Sequence, residues 1–108
     1  MRKGLVEAVE KTKKEELEAA NKSFAQFNST HEAYAVILEE AQEAEDELRN
    51  VARNLQALWV EIKGNAEKES LEVVAAGVEA SAQALAAEAI QTAAMARKLL
   101  DYLEGVKE

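Results

Sequence analysis

The stretch that decides the fold runs from Ser29 to Leu48 and reads STHEAYAVILEEAQEAEDEL. It opens with a helix start, because Ser29 can accept a hydrogen bond in the first turn and Glu32 stands three residues later, as in a capping box. Apolar residues then recur at helical spacing, at Tyr34, Ile37, Ala41, Ala44 and Leu48. The stretch therefore predicts an amphipathic helix that packs along one side.

A second row of the same helix is acidic. Glu40 and Glu43 lie one turn apart, so their carboxylates share a face. No Lys or Arg occurs from Glu32 to Asp46 to neutralise them. Carboxylates beside a packed seam are costly without a positive partner, and this favours a divalent cation. The alternative is a solvated acidic face, since Glu is a good helix former.

The amino-acid composition limits the fold class and the kinds of functional site that the chain can form. The 108 residues contain no Pro and no Cys, only four Gly, and are rich in Ala, Glu and Leu, which predicts one all-α domain spanning 1–108. The absence of Cys excludes disulfides and thiolate metal sites. The one His excludes a pair of His ligands to a metal and disfavours a Ser-His-Asp triad.

The charge balance bears on partners and location. A formal net charge of −8 disfavours nucleic acid and anionic membranes as partners. We find no apolar run that we expect to span a bilayer and no signal peptide, so the sequence predicts a cytoplasmic protein.

Periodicity predicts three helices, over about residues 2–26, 30–63 and 66–103. The second helix has a heptad seam at 34, 37, 41, 44, 48, 51, 55, 58 and 62, and Gly64-Asn65 ends it. The seam of the third helix is Leu71, Val74, Val78, Ser81, Leu85, Glu88, Thr92, Met95, Leu99 and Tyr102. A short turn between two long helices predicts an antiparallel hairpin.

The register of this hairpin places a third carboxylate near the first two. At about 1.5 Å rise per residue, Glu88 falls level with positions 41 to 44, beside Glu40 and Glu43. Glu88 also occupies a seam position that should be apolar. Three carboxylates at one level repel one another unless a cation holds them, and Mg²⁺ or Mn²⁺ suits such oxygen ligands.

These motifs resemble a known family. Glu39-Glu40-Ala-Gln-Glu43 is similar to the EExxE element of the MazG-like, all-α nucleoside triphosphate pyrophosphohydrolases, and Glu88-Ala-Ile-Gln91 stands where that family has ExxD. The wider strings over 27–43 and 87–96 look like MazG-like proteins of phages and prophages. The resemblance implies Mg²⁺-dependent cleavage of an NTP or dNTP to the monophosphate and pyrophosphate. It also implies a dimer or tetramer.

The resemblance also implies roles for individual residues. Glu40, Glu43 and Glu88 would hold the metal, Glu39 and Gln91 would assist, and Glu39 or Glu43 would orient the attacking water. Gln91 departs from the family's Asp, which removes one negative charge and should lower metal affinity. An alternative is a catalytically weak relative that binds nucleotide or a protein partner, and another is a structural helical module.

Weaker candidates for substrate contact lie around these motifs. They are His31, Asn28, Arg97 and Lys98, each of which could equally be an ordinary surface residue. Trp59 is too far along the helix to reach the metal site of its own chain and fits core or subunit packing better. Because an Ala-rich third helix leaves little core for a monomer, we expect a homodimer or homotetramer that completes a four-helix core.

Overall fold

A computed structural model gives the fold and describes residues 1–24 and 26–106. Within them the chain forms three α-helices and no strand: α1 (Lys3–Ser23), α2 (Thr30–Lys63) and α3 (Lys68–Gly105). The predicted all-α class is confirmed. The bounds of α2 agree with the prediction, and α3 begins and ends two residues later than predicted.

The end of α1 differs from the prediction. The helix ends at Ser23, and Phe24 is extended, with its N–H donating to the carbonyl of Ala20 at 2.8 Å. Gln26 lies outside the helix as well, and residue 25 lies outside the described residues. The segment that leads to α2 is therefore longer than predicted.

Local hydrogen bonds fix both ends of α2. Ser29 Oγ accepts from the Glu32 N–H at 3.1 Å, as the capping prediction required. At the other end Asn65 has φ 55°, its N–H donates to Ile62, and the Ala66 N–H donates to Glu61. This pair of bonds is a Schellman motif in which Asn65, rather than Gly64, takes the left-handed position.

The chain divides into two compact units, each built from parts of α2 and α3. The first contains residues 1–41 and 88–106, and the second contains residues 42–87. The buried residues of the first unit include Phe27, Ala33 and Ala94. In this unit the hydroxyl of Tyr102 near the end of α3 donates to the Asn28 carbonyl just before α2 at 3.4 Å, so the two helices run antiparallel.

The second unit is a helical hairpin closed by the turn at Gly64-Asn65. Asn54 Nδ2 donates to the Gly77 carbonyl at 3.0 Å and to Ser81 Oγ at 2.6 Å. Ser81 Oγ in turn donates to the Gly77 carbonyl at 2.8 Å. These partners agree with the register derived from helix geometry. Among the described residues of this unit, Ser81 alone is classed as buried.

The two predicted seams have different outcomes. Every seam position of α3 is buried or half-buried. On α2 the seam prediction is wrong at Tyr34, Leu48, Leu55 and Ile62, which are exposed. The half-buried side of α2 extends instead toward Glu40, Glu47, Asn54 and Glu61. Polar side chains such as Asn54 occupy this row because they find hydrogen-bond partners on α3.

One helix bears on the expectation about membranes. By length and composition alone, α3 is apolar enough to cross a bilayer, and 6% of its most apolar window is buried. Its Ala-rich composition is equally that of a core helix in a soluble bundle.

Candidate functional site

The first unit brings two of the predicted metal-binding carboxylates together. A carboxylate oxygen of Glu40 on α2 lies within 4.8 Å of one of Glu88 on α3. Both side chains are half-buried. Glu43 follows one turn later on α2 and is exposed. Oxygen donors of this kind suit Mg²⁺ or Mn²⁺.

Gln91 lies directly against this pair. Its amide nitrogen, oriented as hydrogen bonding requires, donates to Glu40 Oε2 at 3.2 Å and to Glu88 Oε2 at 3.1 Å. A neutral amide therefore contacts both carboxylates. The amide oxygen points the other way in this orientation, so serving as a metal ligand would require the amide to rotate by half a turn.

A pocket of about 770 Å³ opens beside these residues within the first unit. Its wall comes from the end of α1, the segment before α2, the start of α2 and the second half of α3. Glu40 and Gln91 line one part of it, and Lys98 lines another. Gln91 and Lys98 are two turns apart on α3, about 10 Å along the helix axis.

Lys98 is the least exposed charged residue among those described, at 3%. Its ammonium lies 5.0 Å from the centre of the Phe27 ring and 5.6 Å from that of Phe24. Two aromatic faces thus hold the cation at the pocket wall. The sequence predicts Lys98 only as a weak candidate for substrate contact. It does not predict Phe24, whose one signal is its position just before the helix break.

The other candidates for substrate contact are less well placed. Asn28 lines the pocket, and its side-chain Nδ2 donates to Glu32 Oε2 at 3.0 Å. His31 and Glu39 are exposed on α2, and the described residues that line the pocket include neither. Of the acids in the EExxE element, Glu40 is the one that lines the pocket among the described residues.

Arg97 is engaged with acids on its own helix. Its guanidinium donates from Nε to Asp101 Oδ1 at 3.0 Å and from Nη2 to Glu104 Oε1 at 3.0 Å. The hydrogen bond to Asp101 raises the pKa of Arg97, although burial opposes the shift. These pairs compete with any phosphate for the same donors.

No family model, no curated protein and no solved structure matches the chain in the three comparisons.

Proposed function

We propose that this protein is a Mg²⁺-dependent nucleotide pyrophosphohydrolase that hydrolyses an NTP or dNTP to the monophosphate and pyrophosphate. The observation that carries the proposal is the juxtaposition of the Glu40 and Glu88 carboxylates with a pocket whose wall includes Lys98. Carboxylates at one end and a buried ammonium at the other supply the contacts that a metal-bound phosphate chain requires.

Glu40, Glu43 and Glu88 would hold the metal, and Gln91 would serve as a fourth ligand after rotation of its amide. When bound, Mg²⁺ offsets phosphate charge and lowers the pKa of a coordinated water. Glu43 is better placed than Glu39 to orient a water for attack, because it lies one turn from Glu40 on the same face. Attack of this water on the α-phosphorus would break the bond between that phosphorus and the oxygen that bridges the α- and β-phosphates. Pyrophosphate would leave, and the monophosphate would remain.

The pocket supports a nucleotide as the ligand. Lys98 provides an ammonium that can donate to phosphate or to a base carbonyl. Phe24 is largely exposed beside it and offers a ring face for a base. Asn28 adds an amide at the same wall.

One observation favours a second candidate, a catalytically weak relative that binds nucleotide. Gln91 donates to both Glu40 and Glu88, so these carboxylates have a hydrogen-bonded arrangement that needs no metal. A neutral amide at this position also contributes less than a carboxylate to metal affinity.

The deciding experiment is a panel of the common NTPs and dNTPs with Mg²⁺ or Mn²⁺, assayed for released pyrophosphate and for the matching monophosphate. We expect turnover by the wild type and its loss in Glu88→Gln, while Glu79→Gln on an exposed part of α3 retains it. Binding without turnover would select the weak relative. If the protein neither binds nor hydrolyses any of these nucleotides, the interpretation that remains is a structural helical module.

A further inference from the structure

Lys98 is a buried cation at the pocket of the first unit, and it has no polar partner there. It is 3% exposed and lines the pocket. Among the described residues, none forms a hydrogen bond or an ion pair with its ammonium, whose contacts are the ring faces of Phe24 and Phe27. Burying an ammonium without a hydrogen-bond acceptor is costly. A ligand in the pocket that supplies the acceptor removes this cost.

Glu16 is a second charged group of the same pocket that has no polar partner. It lies on α1, is half-buried and lines the pocket. No hydrogen bond or ion pair joins it to any described residue, Lys98 included. The pocket therefore presents a group that only donates and, apart from it, a group that only accepts. A ligand with acceptors on one edge and donors on the adjoining edge satisfies both.

The exposed ring of Phe24 favours a flat aromatic ligand. This side chain is 69% exposed, lines the pocket, and has its ring centre 5.6 Å from the ammonium of Lys98. A base stacked on the ring has an edge within reach of that ammonium. Gln91, which contacts the metal-binding carboxylates, lies two turns from Lys98, about 10 Å along α3. A base at the Lys98 end therefore leaves the α-phosphate on the side of Glu40.

We propose that the pocket recognises guanine, an inference that rests on the proposed binding of a nucleotide in this pocket. Lys98 donates to N7 and O6 of the base, which is the contact that Lys and Arg make with guanine in DNA. Glu16 accepts from the N1–H and from the 2-amino group, and Phe24 stacks on the ring system. The third N–H of the ammonium remains available to a phosphate oxygen.

The other bases match Lys98 and Glu16 less well. Adenine and cytosine place an amino group where Lys98 requires an acceptor, and a ring nitrogen that accepts where Glu16 requires a donor. Uracil and thymine offer a carbonyl and one N–H, but they lack N7 and the second donor. Hypoxanthine keeps N7, O6 and the N1–H and lacks only the 2-amino group. The expected order of affinity is therefore guanine, then hypoxanthine, with adenine and cytosine the weakest.

Binding of nucleoside monophosphates in the presence of EDTA tests the base site apart from metal and turnover. Backbone amide shifts in NMR titrations should show that GMP binds about tenfold or more tightly than AMP and CMP, with IMP between them, because matched hydrogen bonds to a base edge discriminate by this much. Glu16→Gln should reduce the preference for GMP over AMP, since its amide can donate to N1 of adenine. The control is Glu18→Gln, at an exposed residue of α1 that is not among the described residues lining the pocket, and it should keep the preference.

Lys98→Met should also reduce the preference, because it removes the donor to N7 and O6 and lowers the affinity for GMP more than that for AMP. Circular dichroism shows whether the variant remains helical, and Glu16→Gln tests the same site if it does not. Equal binding of the four monophosphates GMP, AMP, CMP and UMP, or a preference for GMP that survives in Glu16→Gln and in folded Lys98→Met, would overturn the assignment to guanine.

The base site and the hydrolase fail in different ways. Equal turnover of all NTPs, together with equal binding of the monophosphates, would overturn the guanine site and leave the hydrolase in place. A preference for GMP that Glu16→Gln reduces, without release of pyrophosphate from GTP, would support the guanine site and remove the hydrolase.

Discussion

Glu40 on α2 and Glu88 on α3 bring carboxylate oxygens to within 4.8 Å of each other. The two residues are far apart in sequence, and they are neighbours because α2 and α3 run antiparallel. Both are half-buried, where bringing like charges together costs more than at the surface. The consequences for metal binding can be measured without an assay of activity.

Mg²⁺ should stabilise the folded chain through this pair. A ligand that binds only the folded state adds about 2.7 kcal/mol at one hundred times its Kd. Thermal unfolding with and without MgCl₂, at matched ionic strength, should show a rise in Tm for the wild type. Glu88→Gln should abolish the rise, and Glu79→Gln should keep it. An undiminished rise in Glu88→Gln would mean that the ion binds elsewhere.

Replacing Gln91 by Asp should trade stability of the metal-free protein for metal affinity. The change removes an amide that donates to Glu40 and Glu88 and adds a like charge beside them. We expect a loss of about 1 to 3 kcal/mol without metal. Titration calorimetry should show tighter Mg²⁺ binding, and turnover should increase if Gln91 limits it. Gln83→Asp, on an exposed part of α3, is the control. Unchanged metal affinity in Gln91→Asp would argue against a metal at this position.

Sequence periodicity predicted much of this arrangement. The 3-4 spacing located α2 and α3, and the rise per residue placed Glu88 level with positions 41 to 44, beside Glu40. The periodicity did not identify which row of α2 packs on α3, because two neighbouring rows of that helix have the same period. The row containing Asn54 packs on α3 through hydrogen bonds to Gly77 and Ser81. The pattern of apolar residues in a sequence carries no information about such bonds.

The pocket was harder to predict than the helices. It depends on α1 ending at Ser23, which frees Phe24 to leave the helix and lie against Lys98. Phe27 is buried and provides the second ring. A charged residue on an acidic helix gives no sequence signal for burial, since its partners here are rings from a distant segment rather than carboxylates.

Lys98→Met should weaken nucleotide binding without unfolding the protein. Met retains the apolar length that packs between Phe24 and Phe27 but removes the charge. Charge-assisted hydrogen bonds are worth about 1.5 to 3 kcal/mol, so we expect Kd to rise roughly ten- to hundredfold. Titration with a fluorescent ATP analogue, with pyrophosphate as competitor, measures this. Lys22→Met at the exposed end of α1 is the control, and equal affinity of Lys98→Met and wild type would exclude Lys98 from the site.

Asn54→Ala should destabilise the hairpin of the second unit. The change removes the donor to the Gly77 carbonyl and to Ser81 Oγ. Net loss of such bonds costs about 1 to 3 kcal/mol where a polar partner is left buried. Urea unfolding followed by circular dichroism should show a lower midpoint, compared with exposed Gln56→Ala. Equal midpoints for the two variants would show that water replaces the Asn54 amide at no cost.

Gly77→Ala should stabilise the same hairpin. Gly inside a helix costs roughly 0.5 to 1 kcal/mol relative to Ala, and a Cβ at Gly77 would lie 3.5 Å from the side-chain atoms of Asn54, an ordinary contact. The urea midpoint should therefore rise. Gly4→Ala is the control, because no heavy atom lies within 4 Å of its added Cβ and the first turn of α1 is exposed. A fall in the midpoint of Gly77→Ala alone would show that the Asn54 network cannot accommodate a methyl group.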